Sequence, residues 1–136
     1  MDNLELGPGT RAAVDRMEHA HLSAADVDRT VAFYRRAFGW EVRHDGTGPY
    51  GRTVHVGTDR FYLALTEGGD PAAGTGNFSH LGFVTPDLAA FKQRLEREGI
   101  PISESASRKE GDAVYVIDPD GVEIEVVGYT ADYRYR

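Results

Sequence analysis

The chain has 136 residues, no cysteine, five histidines and a formal net charge of −7. That length fits one compact domain, able to bury roughly two-thirds of the surface its unfolded chain exposes. Without cysteine there are no disulfides, thiolate metal sites or cysteine nucleophiles, and the acidic balance argues against a phosphate-neutralising nucleic-acid surface.

Residues 1–16 read as a loose N-terminal arm, with a short helix from Thr10 to Met17. HAHLSAA (19–25) reads as a strand. DVDRTVAFYRRAFG (26–39) reads as a helix, with Asp26 as its cap and Gly39 as its stop. WEVRH (40–44) is a short strand, followed by a loop of Gly46, Gly48, Pro49 and Gly51. TVHVG (53–57) and RFYLALT (60–66) are strands around a tight turn at Thr58–Asp59. Residues 67–77 have the composition of an exposed linker. SHLGFVT (79–85) is again a strand, and PDLAAFKQRLEREG (86–99) is a helix with Leu88, Phe91 and Leu95 on one face. PIS (101–103) starts a strand, and SASRKEGD reads as a polar loop. AVYVI (113–117), the turn DPDG and VEIEVVG (122–128) complete the second half.

Each half therefore reads β-α-β-β-β. His19 and Asp26 plus 61 give His80 and Asp87, and VHV matches VYV at an offset of 60. We read an internal duplication of about 60 residues. The expected fold is α+β: two tandem βαβββ modules forming half-barrel sheets with helices on the outer face. The domain spans 17–128, with module 1 at about 17–67, a linker at 68–78, module 2 at about 79–128, and a tail at 129–136. No apolar run approaches the roughly 20 residues of a membrane span. The N-terminus is not a signal peptide, and the expected location is the cytoplasm. The excess of 13 Arg over 2 Lys reads as coding composition rather than as an Arg-based site.

Period-two alternation assigns the sheet faces. Val122, Ile124 and Val126 meet the helix, as do Phe61, Leu63 and Leu65. Glu123, Glu125 and Val127, with Tyr62, Ala64 and Thr66, point the other way. His19, His21 and Ser23 share a face, as do His80, Gly82 and Val84. His19, His80, Glu125 and the nearby Tyr115 are then expected on one concave face. Two imidazoles and a carboxylate suit Fe(II), Mn(II) or Zn(II) with open coordination positions. His44 reads as a solvated strand end, and Phe33, Phe38 and Trp40 as core. Tyr50 and Tyr62 read either as packing or as pocket lining.

The strings HAHLSAADVDRTVAFYRRAFGW, SHLGFVTPDL and DPDGVEIE resemble the vicinal oxygen chelate superfamily. Its members are glyoxalases, fosfomycin-resistance thiol transferases, type I extradiol dioxygenases and bleomycin-resistance proteins, and the resemblance covers about residues 18–128. It places the family's metal positions on His19, Ala64, His80 and Glu125. Ala64 departs from the four-ligand glyoxalase pattern and leaves the three-ligand set His19, His80 and Glu125. Tyr115 to Glu125 fits the extradiol signature Tyr-x-x-Asp-Pro-x-Gly-x-x-x-Glu. The window where that family carries a catalytic His holds Ala106, Ser107 and Arg108 instead. The fosfomycin pattern of a Lys and serines finds Ser105, Ser107 and Lys109, without a matching register.

The resemblance implies a divalent-metal enzyme, Fe(II) first with Mn(II), Zn(II) or Ni(II) behind it, chelating two adjacent oxygens of a small-molecule substrate. Extradiol-type dioxygenation is the leading chemistry. A glyoxalase-like lyase or isomerase and a thiol transferase are the alternatives. His55 or His21 would move the proton and Tyr115 would donate a hydrogen bond. A metal-free protein that sequesters an antibiotic or aromatic ligand is the non-enzymatic alternative. No nucleic-acid or membrane partner is expected. The expected assembly is a homodimer in which His19 comes from one subunit and His80 with Glu125 from the other.

Overall fold

The helix Val27–Phe38 (α1) begins where the Asp26 carboxylate accepts from the Arg29 amide at 3.1 Å. It ends at Gly39 in the left-handed region, φ 72°. The helix Leu88–Glu98 (α2) repeats the pattern, with Asp87 accepting from Ala90 at 3.0 Å and Gly99 at φ 69°. An N-cap carboxylate satisfies one of the four amide donors that a helix start leaves open, and glycine enters the left-handed region without a Cβ penalty.

The computed structural model describes residues 17–49, 51–68, 80–109 and 111–130. The strands are β1 His19–Ala24, β2 Glu41–Gly48, β3 Gly51–Gly57, β4 Tyr62–Glu67, β5 Leu81–Val84, β6 Glu104–Arg108, β7 Gly111–Ile117 and β8 Glu123–Tyr129. The arm 1–16 with its expected helix, Tyr50, nearly all of the linker and the last six residues lie outside the described residues.

Two four-stranded sheets result, ordered β1-β4-β3-β2 and β5-β8-β7-β6. In each, the first strand runs parallel to the last and the other pairs are antiparallel. The sheets repeat each other in connectivity and in register. His21, Ala64 and His55 are cross-strand neighbours in the first, and Gly82, Glu125 and Tyr115 are their counterparts in the second. The duplication read from the sequence is thus a duplication of the fold.

The strands differ from the sequence reading in two places. β2 runs on through Asp45–Gly48, and β3 starts at Gly51, so the glycine-rich loop shrinks to a tight hairpin turn. In the second half PIS is not a strand, while Glu104–Arg108, expected as loop, is β6. Both stretches are exposed edge strands poor in β-branched residues, so local propensity gives no signal. Backbone pairing to β3 and β7 holds them.

Val54, Val56, Leu63 and Leu65 from the first sheet and Val114, Val116, Ile124 and Val126 from the second are buried in one cluster with α1 and α2. Phe38, Trp40, Phe61, Phe83 and Phe91 pack edge to face across the module boundary, with centroids 4.8–6.1 Å apart. Phe33 is buried, and Phe38 and Trp40 are partly buried against the core as expected. Both sheets turn their apolar faces to this shared core, so their opposite, polar faces look away from it.

The DPDG turn also joins the modules. Tyr34 donates to the Asp118 carboxylate at 2.8 Å, and Asp118 also accepts from the amides of Asp120 and Val122 at 2.8 and 2.9 Å. Asp120 accepts from the Ala25 amide at 3.0 Å and from the Thr30 hydroxyl, next to the start of α1. Burial pushes the Asp118 carboxyl up, and burial with the Asp118 charge pushes the Tyr34 phenol well up, so Tyr34 stays a proton donor.

Gly57, between β3 and the turn to β4, has no room for a side chain. A Cβ there would sit 2.2 Å from the Phe61 carbonyl oxygen and 2.5 Å from the Tyr62 Cα. Because both obstacles are backbone, Gly57→Ala is expected to cost roughly 2–3 kcal/mol, read as a lowered denaturant midpoint.

Candidate metal and ligand site

The polar face of the second sheet carries a converged pair. His80, immediately before β5, places Nε2 at 3.1 Å from Glu125 Oε1 on β8. Tyr115, the cross-strand neighbour of Glu125 on β7, sets its ring edge-on to His80 with centroids 5.8 Å apart. Glu125 is 9% exposed, so its charge lies largely out of water and needs partners. It has a second one: Arg108 donates from one terminal nitrogen to Glu125 Oε2 at 3.1 Å and to the Tyr115 hydroxyl at 3.4 Å. The bonds to Glu125 and then Tyr115 raise the Arg108 pKa further, keeping it a permanent cation. The sequence reading gave Arg108 no role. Its place on this face follows from β6, where Arg108 pairs with Gly111 and shares a face with Glu104 and Ala106.

The polar face of the first sheet carries the other histidines. His19 stacks on Tyr62, with centroids 5.0 Å apart and planes 9° apart, and bonds through Nδ1 to Glu18 at 3.0 Å. Tyr62 also stacks on His55 at 4.4 Å, and His55 meets His44 at 5.0 Å. Tyr62 is therefore part of this face. His44 is exposed as expected, but it lies within β2 with its ring tilted 52° against His55 and is not a strand end. His21 bonds to the Thr66 hydroxyl at 2.7 Å, which in turn meets Thr53 at 2.8 Å. Ala64 sits between His21 and His55, at the place where the second sheet has Glu125.

Burial first, and then the neighbouring His44, His19, Arg43 and His21, pull the His55 pKa below its ordinary 6.5. The unfolded chain then takes this proton more readily than the folded one. Any stability tied to His55 is complete above the ordinary imidazole range and is lost as pH falls through it. An NMR titration should place the His55 midpoint below 6.5, and His55→Gln should flatten the acid slope of stability.

The structure brings together His80, Glu125 and Tyr115 from the predicted set. It places His19, His21 and His55 on the other sheet. Among the described residues of one chain, no group of three His, Asp or Glu side chains converges as metal ligands do. His19, His80, Glu125 and Tyr115 therefore do not share one face within a chain, because each sheet turns its apolar side to the common core.

The pair on the second sheet nevertheless fits a divalent ion. Ligands bound at about 2.1 Å in cis positions stand about 3 Å apart, and His80 Nε2 and Glu125 Oε1 are 3.1 Å apart. Imidazole plus carboxylate is also the donor chemistry of Fe(II), Mn(II) and Zn(II) sites.

Fold, duplication and paired His/Glu face define a class, and the comparisons agree. Residues 16–126 match the Glyoxalase/Bleomycin resistance protein/Dioxygenase superfamily, and the chain belongs to it. A lactoylglutathione lyase from Agrobacterium tumefaciens is 26% identical, with a TM-score of 0.67 over 86% of this chain and 96% of that one. TnmS3, an antibiotic binding protein from Streptomyces sp. CB03234, is 22% identical at TM-score 0.74, over 88% of this chain and 100% of that one. The fosfomycin resistance protein FosX from Listeria monocytogenes is 19% identical at TM-score 0.69, over 88% and 97%. The last two share the fold. No helix among the described residues is long and apolar enough to cross a membrane.

Proposed function

We propose that this chain is a divalent-metal-dependent enzyme that chelates adjacent oxygens of a small molecule, with His80 and Glu125 of one copy and His19 of a second copy as ligands. The observation that carries the reading is the converged His80–Glu125 pair at metal-ligand spacing. His19 stands at the equivalent place of the duplicated sheet, on a face that also looks away from the core. Two copies that bring unlike faces together enclose a cup between them, and a two-fold dimer holds two such cups.

A bound divalent ion supplies Lewis-acid polarisation of the chelated oxygens. The chain supplies the rest. Tyr115, beside Glu125 and His80, donates a hydrogen bond to a ligand oxygen. His55, neutral at pH 7 because its pKa is pulled down, is the candidate proton acceptor. His21, tied through Nε2 to Thr66, is the second candidate and relays toward Thr53. Extradiol-type dioxygenation, with Fe(II) as the metal, remains the leading chemistry on the Tyr115-to-Glu125 pattern, with lyase, isomerase or thiol transfer behind it.

Anaerobic titration of Fe(II), Mn(II) and Zn(II) followed by oxygen uptake with a panel of catechols tests the reading. About one ion per chain and catechol-dependent oxygen uptake are expected, whereas less than about 0.1 ion per chain would overturn it. The second reading is metal-independent ligand binding in the same cup. It is favoured by Arg108, a cation already resting on Glu125.

A further inference from the structure

Arg108 is a charged residue on the second sheet's polar face that the metal reading does not use. Its guanidinium has five donors in a planar fork. The bonds to Glu125 and Tyr115 both come from one terminal nitrogen, which leaves the other terminal nitrogen and Nε for a ligand. The side chain is 38% exposed, so a ligand in the cup can reach it. Between the rows of Arg108 and Glu125 lies a small, apolar row: Ala106, Ala113, Val127 and Val84 are cross-strand neighbours in that order. Such a row cannot satisfy a charged group, so Arg108 is placed to do so.

Charge points the same way. With neutral imidazoles, a divalent ion and Glu125 sum to one positive charge, and Arg108 raises this to two. A ligand that presents two negative charges is then neutralised, whereas a simple monoanionic chelate leaves a surplus. The free terminal nitrogen can donate to a carboxylate oxygen, and its fixed place in the guanidinium plane adds direction to the attraction.

We propose that Arg108 reads an anion on the ligand, so that this site selects vicinal-oxygen compounds carrying a carboxylate on the same skeleton. This rests on the metal-site reading above and names its substrate class. The nearest carbonyl or hydroxyl oxygens go to the metal pair, and the carboxylate goes to the free side of the guanidinium.

The test is isothermal titration of Mn(II)-loaded protein with catechol, 2,3-dihydroxybenzoate and 3,4-dihydroxybenzoate, in the parent chain, R108K and R108Q. The quantity read is the preference for a carboxylated catechol over catechol within each variant. The parent is expected to prefer one of the two acids by about tenfold or more. In R108Q that ratio should fall to about one, and R108K should keep only part of it, because a single ammonium cannot hold Glu125 and Tyr115 with one nitrogen while presenting another to the ligand. A parent preference near one, or a preference kept in R108Q, overturns the proposal.

A failure of Mn(II) to load overturns the metal reading instead, and the same panel is then run on the metal-free protein. There a carboxylate preference lost in R108Q still supports the role of Arg108, and no preference overturns it. Unchanged melting temperatures of the variants exclude a folding defect as the cause.

Discussion

Asp118→Ala is expected to lower stability by roughly 2–4 kcal/mol, a fall in melting temperature of roughly 10 °C, with the metal and ligand face untouched. The Asp118 carboxylate is 4% exposed and accepts from the Tyr34 hydroxyl and from the Asp120 and Val122 amides. Alanine removes the acceptor of all three bonds and leaves a phenol at 0% exposure with no acceptor in its place. An unpaired buried donor loses its full hydration without return, and this is why the cost exceeds that of an average hydrogen bond. Tyr34→Phe removes the same contact from the other side without stranding a donor, so its cost should be smaller, about 1 kcal/mol. In the double variant the two losses should not add, because both act on one contact. Additive losses in a denaturant series would show that Asp118 acts on the turn alone and not as the clamp between modules.

Glu125→Gln is expected to weaken divalent-metal affinity at least 100-fold while changing the melting temperature by only a few degrees. The amide keeps the shape of the carboxylate but carries no charge, and one of its two ends becomes a donor. Its oxygen can still accept from Arg108 and its NH2 group can donate to an unprotonated His80 Nε2, which ties up the nitrogen that the metal would need. The exposed halves of both pairs limit what their loss costs in stability, since His80 and Arg108 side chains are 34% and 38% exposed. Metal affinity has no such cushion, because the carboxylate is the one anionic ligand of the proposed set. Affinity is read by competition with a chromophoric chelator. Parent-like affinity in Glu125→Gln would remove Glu125 from the ligand set.

Much of the fold was legible from residue pattern. The cap and stop residues of both helices stand where expected, since Asp at an N-cap and Gly in the left-handed region act locally. The faces of β1, β4, β5 and β8 also follow from alternation, because each of these strands turns an apolar row to the shared core. The equivalence of His80 and His19, each at the start of its module's sheet, was legible through the duplication.

What was not legible depends on contacts distant in sequence. ESASR in β6 has no β-branched residue and buries no face, so only its pairing with β7 makes it a strand. With that stretch read as loop, Arg108 had no face, and its approach to Glu125 could not be seen. The DPDG turn gave no sign that Asp118 and Asp120 reach into the other module, since Tyr34 and Thr30 lie 84 and 90 residues away. The separation of His19 from His80 follows from both sheets sharing one core, which no single module reveals.

The central claim is that the metal site is completed between two copies. Mixing His19→Ala with Glu125→Ala chains after mild unfolding and refolding tests it most directly. Each variant alone should bind little metal. In mixed dimers one site loses both ligands while the other regains His19 from one chain and Glu125 from the other. Random pairing should therefore restore about a quarter of the parent's metal capacity. No restoration in a mixture shown to contain mixed dimers would contradict the account, as would parent-like metal binding by His19→Ala alone.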